Sequence, residues 1–253
     1  MNILVTNDDG IGAQGIQTLV KALSQLGEVY VCAPDTQKSA CGHGITMHTP
    51  IMVKERQVPF AKRAWSITGT PADCVKLGVR RLAPQGGIHM VFSGINHGAN
   101  LGNDAFYSGT VGGAAEGVFC GKPAVAVSIC SHEPGWFEPA GNIAVLAGKQ
   151  IMEKGLKEGI MLNINIPNLP PEEIAGVRLT RQGVMQYDEL FEIAKSPFGQ
   201  EYYWYGGNLI RTRQPEDVDV EAIRAKHISI TPMAFDLTSR ETLEELKDWR
   251  LEL

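Results

Sequence analysis

The sequence predicts an α/β protein built on a doubly wound, mostly parallel sheet, and three observations carry that expectation. Short apolar runs alternate with segments whose apolar residues recur at helical spacing, from the first residues to about residue 167. The gap between the first two runs suits a crossover helix, which a parallel strand pair requires. The runs themselves are continuously apolar, as strands covered on both faces are. With 253 residues, 43% apolar and 20% charged, the chain can bury a sizeable core and lies outside the disordered composition class. That length fits one large domain, or one core with an appendage.

Taken in order, Ile3 to Thr6 reads as a strand that stops at Asn7-Asp8-Asp9-Gly10, and Ile16, Leu19, Val20 and Leu23 mark the helix after it. Val29 to Cys32 is the next strand, closed by Ala33-Pro34-Asp35. Thr70-Pro71-Ala72-Asp73 has the form of a helix start: a hydroxyl N-cap, proline at the first helical position and a carboxylate in the first turn. His89 to Ser93 reads as a buried strand, Thr110 to Phe119 as a small-residue helix, Ala124 to Ile129 as a strand and Ile143 to Met152 as a helix. After Leu162-Asn163-Ile164-Asn165-Ile166-Pro167 the alternation lapses. Tyr202-Tyr203-Trp204-Tyr205 is aromatic, and Thr238-Ser239-Arg240-Glu241 reads as a capping box opening a last helix. The expected organisation is a core over 1–186 and a C-terminal extension over 187–253, a hairpin and terminal helix whose aromatic stretch serves packing on the core or a subunit contact.

Composition excludes several classes. Lys and Arg number 23 against 28 Asp and Glu, a net charge of −5, so there is no broad basic field for nucleic acid. Five widely spaced cysteines form no C-x-x-C pair and suggest neither a disulfide framework nor a zinc clip. No run reaches the roughly 18 apolar residues of a membrane span, and the opening residues do not have the form of a signal peptide. A cytoplasmic location is the expectation.

In doubly wound folds ligands sit beyond the carboxyl ends of the strands, so the loops there are where chemistry is sought. In Asn7-Asp8-Asp9-Gly10 two carboxylates are adjacent, and two such charges about 4 Å apart repel by roughly 4 kcal/mol at an effective dielectric near 20. A divalent cation removes that cost, and oxygen ligands suit hard ions. The alternative is helix capping, for which one Asp is enough. The glycine- and asparagine-rich loop from Ser93 to Asp104 includes Asn96, and Asn carbonyls can complete an oxygen shell. Tyr107-Ser108-Gly109-Thr110 offers hydroxyls and free N–H groups at a helix N-terminus, which suits an anion. The segment Lys38 to Thr46 opens on the same face: Ser39 is either a ligand or a solvated loop serine, and His43 either a proton carrier or polar surface.

Gly10-Ile11-Gly12-Ala13-Gln14-Gly15 is a literal G-x-G-x-x-G between strand and helix, with Asp35 twenty residues after Gly15 as a ribose-binding acid would be. It keeps an NAD-binding oxidoreductase open. Against that reading, Asp8 and Asp9 place two negative charges toward a pyrophosphate. A G-x-S-x-G elbow and a Walker loop are both absent from the sequence.

Together, Asn7-Asp8-Asp9-Gly10, Gly69-Thr70-Pro71-Ala72-Asp73-Cys74-Val75, Ser93-Gly94-Ile95-Asn96 and Tyr107-Ser108-Gly109-Thr110-Val111 resemble, in order and spacing, the SurE family of nucleotidases. The similarity extends to Leu162–Pro167, Tyr202-Tyr203-Trp204 and Ser229-Ile230-Thr231-Pro232, and so covers nearly the whole chain. The resemblance implies a Rossmann-like fold and a metal-dependent phosphatase acting on nucleoside 5′- and 3′-monophosphates, with short polyphosphate a further substrate. It implies one divalent ion per subunit, Mg²⁺, Mn²⁺ or Co²⁺, held by Asp8, Asp9, Ser39 and Asn96, with the two aspartates catalytic. Phosphate would be held by Asn96, Ser108, Gly109 and Thr110, with Asp9 and His43 as candidate proton donors. It also implies a homodimer or homotetramer joined through an exchanged C-terminal segment. Two departures are Ala40, where many members carry glycine, and Ile88-His89-Met90, where a Pro-Asp is usual. A nucleotide-binding regulatory module without turnover is the other alternative.

Overall fold

The computed structural model describes residues 1–131, 135–188 and 190–249. Its centre is a nine-stranded sheet in the order β3-β4-β2-β1-β5-β6-β7-β13-β8. The strands are β1 (Asn2–Thr6), β2 (Glu28–Pro34), β3 (Val53–Arg56), β4 (Arg63–Ile67), β5 (Met90–His97), β6 (Ala124–Cys130), β7 (Ile160–Pro167), β8 (Gly176–Leu179) and β13 (His227–Ala234). From β4 to β7 every neighbouring pair is parallel. The expected doubly wound, mostly parallel sheet is present, with antiparallel pairs at β3–β4 and β7–β13.

Strand periodicity sorts the side chains to two faces. In β1, Ile3 and Val5 join one apolar cluster and Leu4 the other. Helices α1 (Gln14–Leu23) and α4 (Phe137–Lys154) cover the first face through Ile16, Leu19, Leu23, Phe137 and Ala144; α2 (Pro71–Leu77) and α3 (Gly109–Phe119) cover the second through Cys74, Val75, Val111 and Ala114. Each fully buried Leu or Ile of α1 contributes about 1.5–3 kcal/mol. Helix α3 is rich in small residues because it lies close to the sheet: a Cβ at Gly113 would stand 2.8 Å from Ser93 Oγ and 3.0 Å from Thr6 Cγ2.

The start of α2 is as the sequence predicts, a capping box in which Thr70 accepts from the Asp73 N–H and the Asp73 carboxylate accepts from the Thr70 N–H. Helix α4 begins six residues before the expected Ile143. The last helix, α6 (Arg240–Glu245), is capped by Ser239, which accepts from the Thr242 N–H, so the cap falls one residue later than the Thr238 of the expected box. Strands β3 and β4 have no counterpart in the sequence reading. Strand β3 is short, exposed and charged (Lys54, Glu55, Arg56), a usual form for an edge strand, and carries no apolar signal.

The chain after residue 186 divides. Strands β9 (Gln186–Tyr187) and β12 (Leu209–Ile210) pair with each other, and β10 (Leu190–Lys195) and β11 (Glu201–Gly206) form an antiparallel hairpin. Helix α5 (Asp219–Arg224) and β13 return to the core: β13 sits between β7 and β8, inside the central sheet. The segment expected as an extension over 187–253 therefore contributes an interior strand, so a boundary at 186/187 does not separate the sheet from the tail. Residues 250–253 of that segment lie outside the described residues.

Candidate active site

Strand order reverses about β1: β2 lies on one side and β5 on the other, which makes the carboxyl ends of β1 and β5 the topological switch point where a crevice opens. Four loops meet there and are stitched through their backbones. Ile11 N–H donates to the Pro34 carbonyl at 2.9 Å, tying the loop after β1 to β2. Lys38 N–H donates to the Asp8 carbonyl at 2.7 Å, so Ser39 is delivered next to Asp8. Gly42 N–H donates to the Tyr107 carbonyl at 2.9 Å, and His97 N–H donates to Asp9 Oδ2 at 3.1 Å.

Asp8, Ser39, Asn96 and Ser108 line one pocket of about 190 Å³. Thr110 Oγ1 donates to Asp8 Oδ1 at 2.5 Å across 102 residues of sequence. The register of β5 against β6 shifts between Gly94 and Asn96, an irregularity of the kind that re-aims a side chain beside a site. Asn96 Nδ2 donates to the Gly98 carbonyl at 2.9 Å, which leaves its Oδ1 as an acceptor. Ser108 caps α3 by accepting from the Val111 N–H at 3.1 Å, so Gly109 and Thr110 fall in the first turn, where N–H groups have no partner within the helix.

Asp8 is 4% exposed. Burial, opposed by the Thr110 hydrogen bond and reinforced by the adjacent Asp9 charge, pushes its carboxyl up to about 6. Burial, with Asp8 beside it, also raises the Cys41 thiol. Among the described residues no Lys, Arg or His forms an ion pair with Asp8 or Asp9, and no three or more His, Cys, Asp or Glu side chains gather as a metal cluster. The pocket gathers the Asp8 carboxylate, the Ser39 hydroxyl and the Asn96 amide oxygen, with Asp104 as its second carboxylate; Asp9 is not among its lining residues and turns Oδ2 to the His97 N–H. That all-oxygen, net-negative donor set with one buried, unpaired carboxylate fits a hard divalent cation.

His43 is placed elsewhere. Its Nε2 lies 3.0 Å from Glu116 Oε2, its ring stacks on Phe119 at 5.2 Å, and it lines a neighbouring cavity of about 340 Å³ that also includes Ser108. Glu116, 4% exposed and also 3.4 Å from Lys76 Nζ, is the buried acid of that cluster.

Sequence reasoning missed the residues that hold the site's walls. The Asn100 N–H donates to Asn165 Oδ1 at 2.8 Å, Asn100 Nδ2 to Ser128 Oγ at 2.7 Å, and Asn163 Nδ2 to the Asn100 carbonyl at 2.8 Å. Asp219 accepts from the Gly102 N–H at 2.8 Å and the Gly183 N–H at 2.9 Å, and burial raises its carboxyl. Two asparagines spaced by two in an otherwise apolar β7 were the available signal, since they put amides on one face of a buried strand.

Ala40, the residue where many relatives of the resembled family carry glycine, has φ of +56°. Alanine in that region carries a left-handed penalty that exceeds the chain entropy glycine adds to the unfolded state, so Ala40→Gly is expected to stabilise by about 0.5 kcal/mol. A denaturant midpoint that falls would contradict this.

The family model described as "Survival protein SurE" matches residues 3–189. The chain belongs to the SurE family. A protein named 5′-nucleotidase SurE from Syntrophomonas wolfei is 45% identical over 248 residues, 98% of this chain and 94% of its own. Another of that name from Synechococcus elongatus is 44% identical over 97% of this chain and 98% of its own. The crystal structure of a SurE protein from Aquifex aeolicus superposes with a TM-score of 0.84 at 38% identity, covering 98% of both chains. Membership in SurE replaces the dinucleotide reading of the glycine-rich turn, and Gly15 has a packing role there: a Cβ on it would stand 2.0 Å from the Ile95 carbonyl oxygen of β5.

Proposed function

We infer that the crevice at the switch point hydrolyses nucleoside monophosphates to nucleoside and phosphate. The protein is a 5′-nucleotidase of the SurE family, a metal-dependent phosphatase. The observation that carries the assignment of the chemistry to this crevice is that buried Asp8 shares one pocket with Ser39, Asn96 and Ser108, in a chain whose SurE relatives match it nearly end to end.

Asp8, Asp9, Ser39 and Asn96 would hold the cation, Mg²⁺, Mn²⁺ or Co²⁺. When bound, such an ion supplies charge stabilisation at phosphoryl oxygens and lowers the pKa of water. The rest falls to the chain. Gly109 and Thr110 present first-turn N–H groups at the positive end of α3, and Ser108 orders that turn, so the phosphate is oriented by donors already in place. Thr110 also holds Asp8 through its hydroxyl. Neither candidate donor of the leaving-group proton is placed for that role: Asp9 would be ionised as a cation ligand and its Oδ2 accepts from the His97 N–H, and His43 is engaged with Glu116 in the adjoining cavity. Action on 3′-monophosphates and on short polyphosphate belongs to the same reading.

No helix among the described residues is long and apolar enough to cross a membrane, and a cytoplasmic enzyme with free thiols is part of the proposal. So is a homodimer or homotetramer. The β10–β11 hairpin exposes Phe191, Ile193, Tyr203 and Trp204, an apolar surface of the kind subunit contacts cover.

The test is phosphate release from nucleoside 5′- and 3′-monophosphates and short polyphosphate, in EDTA and with Mg²⁺, Mn²⁺ or Co²⁺ restored. Release only with metal is expected. Tight nucleotide binding without release under any metal selects the regulatory module instead.

A further inference from the structure

We propose that Asp73 is a positioning residue of this phosphatase: from the N-terminus of α2 it clamps the loop over residues 38–50 that carries Ser39, and so sets how tightly the cation is bound. The inference rests on the phosphatase reading of the crevice and deepens it at one ligand, Ser39.

The loop has little else to hold it. Among the described residues from Lys38 to Pro50, none lies in a helix or strand and none is buried, so neither a backbone ladder nor apolar packing fixes its course. Single hydrogen bonds do. Its first residue is tied to the Asp8 carbonyl and its middle, through the Gly42 N–H, to the Tyr107 carbonyl, while His43 meets Glu116. The end that leads away from the crevice is tied to α2. Asp73 Oδ2 accepts from Thr46 Oγ1 at 2.6 Å, both Asp73 oxygens accept from the Thr46 N–H at 3.1 Å, and Thr70 Oγ1 donates to the Gly44 carbonyl at 2.7 Å.

Helix capping explains only part of these contacts. The cap of α2 needs one carboxylate oxygen on the Thr70 N–H, which Asp73 Oδ2 supplies at 2.9 Å. Asp73 is 5% exposed, and among the described residues no Lys, Arg or His forms an ion pair with it. A carboxylate buried in that way needs hydrogen-bond donors, and those beyond the cap come from Thr46, 27 residues away. Burial raises its carboxyl, but the hydrogen bonds from Thr46 and Thr70 outweigh that and hold it below the usual carboxylate range. The turn before α2 is shaped around this acid: a Cβ on Gly69 would stand 2.7 Å from Asp73 Oδ2. The Gly69–Val75 motif thus supplies no ligand to the crevice and acts on it through the loop.

The experiment compares full-length wild type with Thr46→Val, Thr46→Ser, Asp73→Asn, Ser39→Ala and the combined Ser39→Ala and Thr46→Val variant. Mn²⁺ affinity is read by calorimetry without substrate, and melting temperature in EDTA. Phosphate release from a nucleoside 5′-monophosphate is read at saturating Mn²⁺. Valine removes the Thr46 hydroxyl and keeps its shape, whereas asparagine turns an N–H toward the Thr46 and Thr70 donors. Both should weaken Mn²⁺ binding, Asp73→Asn about tenfold and Thr46→Val about threefold, with Thr46→Ser close to wild type. Saturating Mn²⁺ should restore kcat in Thr46→Val. In the Ser39→Ala background Thr46→Val should cost no further affinity, because the loop then carries no ligand, while its effect on melting temperature should be the same in both backgrounds.

A loss of Mn²⁺ affinity as large in the Ser39→Ala background as in wild type would overturn the proposal, since Thr46 would then act on the fold at large. Unchanged Mn²⁺ affinity in Thr46→Val would overturn it too, whether or not Asp73→Asn folds. Wild type that neither binds Mn²⁺ nor releases phosphate would instead overturn the underlying reading.

Discussion

Asp8→Asn is expected to abolish activity while making the metal-free protein more stable. The two effects have one cause. Asp8 is buried beside Asp9, and its carboxyl is raised from 3.8 to about 6, so the fold disfavours its charged form. The sign follows from proton linkage. Between pH about 4 and about 6 the folded state holds a proton on Asp8 that the unfolded state has lost, so stability falls as pH rises through that window and stays low above it. At about 1.4 kcal/mol per pKa unit, the cost at neutral pH is on the order of 3 kcal/mol. Asparagine removes the charge and keeps an oxygen to accept from the Thr110 hydroxyl. In EDTA at neutral pH the variant should melt higher than wild type, and the gap should close as pH falls toward 4. With divalent metal the order should reverse, because wild type gains binding energy that the variant lacks. Losing several kcal/mol of charge stabilisation corresponds to a fall of about 10³-fold or more in kcat/KM. Equal melting curves in EDTA, or unchanged turnover, would contradict this account of Asp8.

The second large effect is expected from a pair of glycines in one motif. A Cβ at Gly15 would lie 2.0 Å from the Ile95 carbonyl oxygen and 3.4 Å from Phe137 Cε1, whereas a Cβ at Gly12 meets nothing within 4 Å. Gly15→Ala must push α1 away from β5, and the clashing atom is backbone that no rotamer change can move. The cost should fall at the upper end of overpacking, about 3 kcal/mol, or roughly 10 °C in melting temperature for a chain of this size. Because Ile95 directly precedes Asn96, activity should fall with stability. Gly12→Ala should alter neither by much. Equal melting temperatures for the two variants would remove the packing explanation of Gly15.

That contrast also marks how far the sequence could be read. The G-x-G-x-x-G spacing is visible in the chain, but whether its last glycine faces a cofactor or a neighbouring strand depends on where β5 lies, and β5 begins 75 residues later. Strands β1, β2, β5 and β6 were legible because parallel strands buried on both faces leave unbroken apolar runs, and helices such as α1 leave 3.6-residue stripes. The Thr70 capping box was legible for a similar reason, since its partners are three residues apart. Strand β3 was not, because its exposed, charged residues carry no burial signal. The interior position of β13 was not, because the aromatic stretch and hairpin before it break the alternation that marked the core.

By itself the sequence determined which residue types stand at the ends of β1 and β5 and before α3, and these are what pointed to an oxygen-rich crevice suited to an anion: Asp8, Asp9, Asn96, Ser108, Gly109 and Thr110 are all local signals at predicted strand or helix ends. Only the tertiary structure decided their company. It put the Thr110 hydroxyl on Asp8, delivered Ser39 through the Lys38 N–H, tied His43 to Glu116 in the adjoining cavity, and set Asn100, Asn163, Asn165 and Asp219 behind the walls. The physical reason is that hydrogen bonds and burial act between atoms near in space, and in a parallel sheet with crossover connections such neighbours lie tens to more than a hundred residues apart along the chain.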